Sequence, residues 1–174
     1  MNHRIAVVFT LFLAAGTAFG EDTAHARFGG NAFEAGGSVE LDEAVRGNAF
    51  VSGGNVEVRG PIGRNLFAAG GDVTLEGPVE GSARMAGGTL RIAPEASVLG
   101  DATLAGGSII VDGPIDGDLR AFGERIRVNG RVSGDVQFMG NELRIGPDAR
   151  IGGRVVYTGV GGTQDLETAI RKAL

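Results

Sequence analysis

From Gly30 onward, apolar and polar positions alternate in short bursts that repeat in register along the chain. The units read GNAFEAGGSVEL from Gly30, GNAFVSGGNVEV from Gly47, RNLFAAGGDVTL from Arg64 and GSARMAGGTLRI from Gly81. They continue as GDATLAGGSIIV from Gly100, GDLRAFGERIRV from Gly117 and GDVQFMGNELRI from Gly134, with a fragment, GRVVYTG, from Gly153. Successive starts are 17, 17, 17, 19, 17, 17 and 19 residues apart. So regular a period predicts a stacked array in which each unit is one supersecondary element. Late in each unit two β-branched or leucine positions flank a mostly polar one: Val39 and Leu41 around Glu40, Val56 and Val58 around Glu57, Ile126 and Val128 around Arg127. That two-residue period predicts a half-buried strand. A second inward series runs Val45, Ile62, Val79, Val98, Ile115, Val132 and Ile151. A third runs Ala32, Ala49, Leu66, Ala83, Ala102, Leu119 and Val136.

Three short apolar segments per unit, separated by Gly, Asn, Asp or Pro, describe one coil of a parallel β-helix. The expected fold is all-β: a right-handed parallel solenoid of about seven coils of 17–19 residues over residues 30–159. The two longer units carry their extra residues at Pro94-Glu95 and Pro147-Asp148, where a turn absorbs them. A left-handed hexapeptide helix, as in acyltransferases, would need coils of 18 in strict sixes. Residues 163–174 change period. Leu166, Ala169, Ile170 and Leu174 share one helical face, with Asp165 and Glu167 early and Arg171 and Lys172 late, which predicts a short amphipathic helix that caps the array or, alternatively, binds a partner.

Residues 1–20 read as a secretory signal: Arg4, an apolar run from Ile5 to Ala15, then Ala18-Phe19-Gly20 as a cleavage site. The run falls short of the roughly 18 apolar residues that a membrane span needs. Export to the periplasm is expected, with no integral span in the mature chain; an uncleaved segment would instead give a cytoplasmic, membrane-associated protein. Residues 21–29 form a short lead-in, with Phe28 expected to pack on the first repeat.

Glycine, at 32 of 174 residues, serves the turns of a folded array here, because 43% of the chain is hydrophobic. The absence of cysteine excludes disulfides, thiolate metal sites and cysteine nucleophiles. A net charge of −5 argues against a nucleic-acid partner. The second of the two histidines, His25, lies in the lead-in, so no histidine triad forms inside the array. The best acidic cluster, Asp112, Asp116 and Asp118, sits in a turn sequence that explains it. No enzyme activity and no cofactor are expected.

The Gly-Asp-hydrophobic openings at Gly100-Asp101-Ala102, Gly117-Asp118-Leu119 and Gly134-Asp135-Val136, with the cadence of IRVNGRVSG (126–134) and VEVRGPIG, resemble the bactofilins, polymer-forming cytoskeletal proteins of bacteria. The resemblance covers about residues 30–159. It implies a right-handed β-helix that assembles end to end into filaments without nucleotide and serves as a scaffold at the cell envelope. The export signal and the terminal helix depart from the family's usual pattern.

Candidate functional residues follow from this reading. Phe33, Phe50 and Phe67 occupy one repeat position; if Ala49 and Val51 point inward, they form an outward aromatic stripe, and otherwise they turn into the core. Self-association is assigned to these three, to Val39 and Leu41 in the first coil, and to Val155 and Tyr157 in the last. The column Asn31, Asn48, Asn65, Ser82, Asp101, Asp118, Asp135 would stack at a spacing of about 4.8 Å. It caps turns, or its three aspartates (Asp101, Asp118, Asp135) hold Ca²⁺. The partner is a second copy of the chain, with cell-wall or envelope components as further candidates. The alternative function is a monomeric periplasmic module that binds cell-wall glycan or an envelope protein through the phenylalanines.

Overall fold

The computed structural model describes residues 23–159 and the strand at 162–165; the expected signal segment, 1–20, lies outside the described residues. The strands are β1 (Ala24–Phe28), β2 (Asn31–Leu41), β3 (Ala49–Val58), β4 (Leu66–Leu75), β5 (Pro78–Val79), β6 (Ala83–Ile92) and β7 (Ser97–Val98). They continue as β8 (Ala102–Val111), β9 (Leu119–Val128), β10 (Arg131–Val132), β11 (Val136–Ile145), β12 (Arg150–Ile151), β13 (Val155–Gly159) and β14 (Gly162–Asp165). The chain is an all-β solenoid of the right-handed type, of about seven coils.

Each long strand serves two faces of the coil. In β3 the inward residues are Ala49 and Val51, then Val56 and Val58, so the inward parity flips between them. A straight strand keeps its parity; the flip marks a bend at Gly53-Gly54. Pairing shows the same break, with Gly53 opposite Gly70 and Asn55 opposite Asp72. The bend brings backbones close together. A Cβ built on Gly106 would lie 2.6 Å from the Gly87 carbonyl oxygen, which explains why Gly36, Gly53, Gly70, Gly87, Gly106, Gly123 and Gly140 stand in one column. The third face is made by the two-residue strands and by single bridges linking Val45, Ile62 and Val79, and Val98, Ile115 and Val132. The first face thus covers the start of each long strand and the second its end.

All three inward series named from the sequence are core, Leu143, Ile145 and Ile151 at the last coil being only partly buried. A fourth inward column lies between them: Val51, Ala68, Met85, Leu104, Ala121 and Phe138. The extra residues of the long coils sit in turns closed by Ala96 donating to the Ala93 carbonyl (3.1 Å) and Ala149 to that of Gly146 (3.2 Å).

Both ends of the first face depart from expectation. The lead-in is a strand: β1 pairs antiparallel with β2, Ala24 opposite Ala35 and Phe28 opposite Asn31. Gly29 and Gly30, at φ 59° and 83°, make the two-residue turn whose left-handed backbone suits glycine and matches strand twist. Phe28 is 79% exposed and does not pack on the first repeat. At the other end, no helix is found among the described residues, which include only 163–165 of the stretch expected to be one. Gly162–Asp165 forms β14 instead, antiparallel to β13, and residues 166–174 lie outside the described residues. An unpaired sheet edge offers a complete ladder of hydrogen bonds, whereas an isolated helix this short is marginal in water.

Candidate functional site: coil ends and outer faces

One hydrogen-bond ladder runs the length of the array at the repeat opening. Asn31 Oδ1 accepts from the Asn48 backbone N–H (2.7 Å), Asn48 Oδ1 from Asn65 (3.1 Å) and Asn65 Oδ1 from Ser82 (2.9 Å). Ser82 Oγ accepts from Asp101 (3.2 Å), Asp101 Oδ1 from Asp118 (2.9 Å), Asp118 Oδ1 from Asp135 (2.9 Å) and Asp135 Oδ1 from Arg154 (2.8 Å). These side chains therefore tie each coil to the next rather than capping their own turns. The same contacts occupy the aspartates proposed for Ca²⁺. Asp118 Oδ2 faces Arg120 (3.4 Å) and Asp135 Oδ2 faces Arg154 (3.1 Å). The Arg154 amide, then its guanidinium, holds the Asp135 carboxyl below its usual pKa. Arg154 has only donors to offer, so the side-chain relay ends there.

Alternation places the phenylalanines outward. Ala32, Ala49 and Leu66, the preceding residues, are fully buried, while Phe33, Phe50 and Phe67 are half-buried on the outer first face. Their rings stack at 4.8 Å between centroids and 4° between planes, and the Arg84 guanidinium lies 5.4 Å from the Phe67 centroid. Phe50 thus has a ring against each of its faces.

The other self-association candidates lie apart from this stripe. Val39 and Leu41 are 0% and 1% exposed, so their side chains belong to the core. Among the described residues no strand pairs with the outer edge of Ser38–Leu41, because β1 spans only Asn31–Ala35. Val155 is buried, and the Tyr157 hydroxyl reaches the carbonyls of Gly140 and Asn141 (3.0 and 3.1 Å). Their strand, β13, is flanked by β11 and β14. Among the described residues, the half-buried apolar positions at this end include Leu143, Ile145 and Ile151, on the second and third faces, which sequence reasoning placed in the inward series without assigning them to self-association. All three are half-buried, whereas Ile126, Val128 and Val132 one coil earlier are 2% exposed or less. A groove of about 320 Å³ opens beside Ile145 and Ile151, lined also by Val132 and Ala149.

Charge is distributed unevenly over the second face. Arg59 meets Glu40 (3.3 Å), Asp42 (3.2 Å), Glu57 and Glu76 (3.2 Å); of these Asp42, through its hydrogen bond, then Glu40 and Glu57 raise its pKa. Further along, Arg91 and Arg127 converge on Asp112 at 2.9 and 3.7 Å. Asp112 is thus held as an ion-pair centre.

The model of one family, the bactofilins, described as polymer-forming cytoskeletal proteins, matches residues 55–156, well over half of the chain. The chain belongs to the bactofilin family. Comparisons with curated proteins and with solved structures returned no match. Bactofilins are a structural family that forms homopolymers. No helix of the described residues is long and apolar enough to cross a membrane.

Proposed function

We propose that this bactofilin is an exported scaffold of the cell envelope that polymerises end to end, without nucleotide, by stacking coil on coil between copies. The carrying observation is that, among the described residues, no further strand covers the second and third faces of the seventh coil. Leu143, Ile145 and Ile151 continue core columns that are sealed one coil earlier, so another coil placed there would complete their burial. Antiparallel β1 and β14 cover the first face at the two ends, so stacking between copies uses the second and third faces. At the other end the outer edge of residues 39–41, beyond the Ser38 carbonyl that accepts from Thr23 Oγ1 (3.2 Å), offers backbone groups for strand addition. Arg4 and the Ile5–Ala15 run support export. A glycan-binding module built on the phenylalanines is less favoured: sugars stack on ring faces, and both faces of Phe50 are occupied by its neighbours.

The test is sedimentation velocity and negative-stain imaging of the chain from Glu21, beside Leu143→Arg and Ile151→Arg. The native chain is expected to form filaments, and the two variants, charged at half-exposed positions, to stay short while melting cooperatively. A native chain that remains monomeric across a wide concentration range, or variants that polymerise as well as it does, would overturn the proposal.

A further inference from the structure

The outer first face is a flat strip with an unusual composition for so acidic a chain. Two outward columns run along it. The bulky one holds Phe33, Phe50 and Phe67, then Arg84, Thr103 and Arg120. The small one, two residues further along each strand, includes Ala35, Ala69, Ala86 and Ala105, then Phe122 and Met139. Ala69, Ala86, Ala105 and Met139 are exposed, and neither column contains a carboxylate.

We infer that this face pairs side by side with the same face of a second copy, about a two-fold axis parallel to the solenoid axis. That axis reverses strand direction but keeps coils level, so the bulky column of each copy meets the small column of the other. Phe67 then faces Ala69 of the second copy, Arg84 faces Ala86 and Thr103 faces Ala105. Arg120 comes opposite Phe122, the type of contact that Arg84 already makes with Phe67. Each contact occurs twice, as a self-complementary interface requires. A two-fold across the solenoid axis would instead set Arg84 against Arg84 and Phe33 against Gln137. Seven coils at about 4.8 Å and five residues at about 3.3 Å give a strip of about 550 Å² per copy. This buries about 1,100 Å² in total, below the usual ~1,600 Å² of a stable complex. The contact is therefore weak between single molecules and strong between filaments, where many copies engage at once. Because the two-fold runs along the solenoid, it leaves both coil ends free for growth.

The chain contains no cysteine, so introduced thiols report contacts cleanly. Arg84→Cys copies mixed with Ala86→Cys copies, treated with a short bis-maleimide under assembly conditions, are expected to cross-link severalfold more than Arg84→Cys mixed with Thr74→Cys, on the second face. Ala86→Glu, at an exposed position, is expected to leave the fold and end-to-end growth intact and to yield single rather than paired filaments. Cross-linking no better than the Thr74 control, or Ala86→Glu assemblies of native width, would overturn the inference. Leu143→Arg separates the two proposals. Shortened polymers that still cross-link uphold side-by-side pairing, whereas full-length polymers without the cross-link uphold only end-to-end growth.

Discussion

Removing one carboxylate from the ladder separates its structural role from metal binding. Asp118 accepts the Asp135 amide at 2.9 Å, and its own amide donates to Asp101 at the same distance. Asp118→Ala leaves the Asp135 N–H without its acceptor. An unsatisfied donor costs about 1–3 kcal/mol when buried, and partial access of water brings this to the lower end, about 1 kcal/mol. For a chain of this size that corresponds to a fall in Tm of about 3 °C. Asp118→Asn keeps the accepting oxygen, the arrangement already present at Asn31, Asn48 and Asn65. It also removes the repulsion with Asp101, about 0.9 kcal/mol for charges one strand spacing apart in water and less in salt. Its exposed ion pair with Arg120 contributes little against this. Thermal melts followed by far-UV circular dichroism, with calcium or with chelator, should show Asp118→Asn at or slightly above the native Tm and Asp118→Ala below it, neither moved by calcium. Asp118→Asn falling as far as Asp118→Ala, or a calcium-dependent rise of the native chain that Asp118→Asn abolishes, would refute the ladder account.

The corner column should be intolerant and its neighbour less so: Gly106→Ala, with its Cβ 2.6 Å from a backbone oxygen, is expected to lose about 1–3 kcal/mol in urea unfolding, and Gly107→Ala, at 3.1 Å, clearly less. Leu104→Ala, in the middle of the fourth inward column, should cost about 2–5 kcal/mol in the same assay through the cavity it leaves. Asp135 titrates below its usual range when folded, so its contribution is present above about pH 4 and lost as pH falls through the folded value. Melts from pH 5 down to 2.5 should therefore show a shallower acid limb for Asp135→Asn. Arg59→Gln leaves Glu40, Asp42, Glu57 and Glu76 facing one another, so salt should raise the variant's Tm more than the native chain's.

What could be read from the sequence was whatever repeats in kind. Val39, Val56 and Val73 announce an inward column because the same chemistry returns every coil, and with it came the solenoid and the place of the two-residue insertions. The fourth column passes from Val51 through Ala68 and Met85 to Ala121 and Phe138. With Leu104 between Met85 and Ala121, side-chain type and volume both change from coil to coil, so no single chemistry announces the column. The ladder was invisible to local reasoning for another reason: Asp118 and its amide donor are 17 residues apart, whereas an Asx cap is sought within two or three. The β1 hairpin did leave a signal, Gly29-Gly30 between two alternating segments, overshadowed by the stronger repeat that begins at the second glycine. The helix expected from Thr163 rested on the apolar period and on the placement of charges at its two ends. It gave no weight to the free edge of β13, which takes Gly162–Asp165 as a strand.

The unequal coil lengths have a consequence for folding. Coils that offer their neighbours the same glycine corner, the same ladder oxygen and the same inward valines invite a slip by one whole unit, since almost every contact would be remade one step along. Such a slip would set the turn at Pro94-Glu95 against a coil too short to hold it, and would separate Ser97–Val98 from Pro78–Val79, its partners across a 19-residue step. The two long coils, spaced 53 residues apart at their prolines, thus act as fiducial marks. They make one alignment of an otherwise degenerate stack cheaper than the rest, and a chain with both turns trimmed to 17 residues should fold into a mixture of slipped forms.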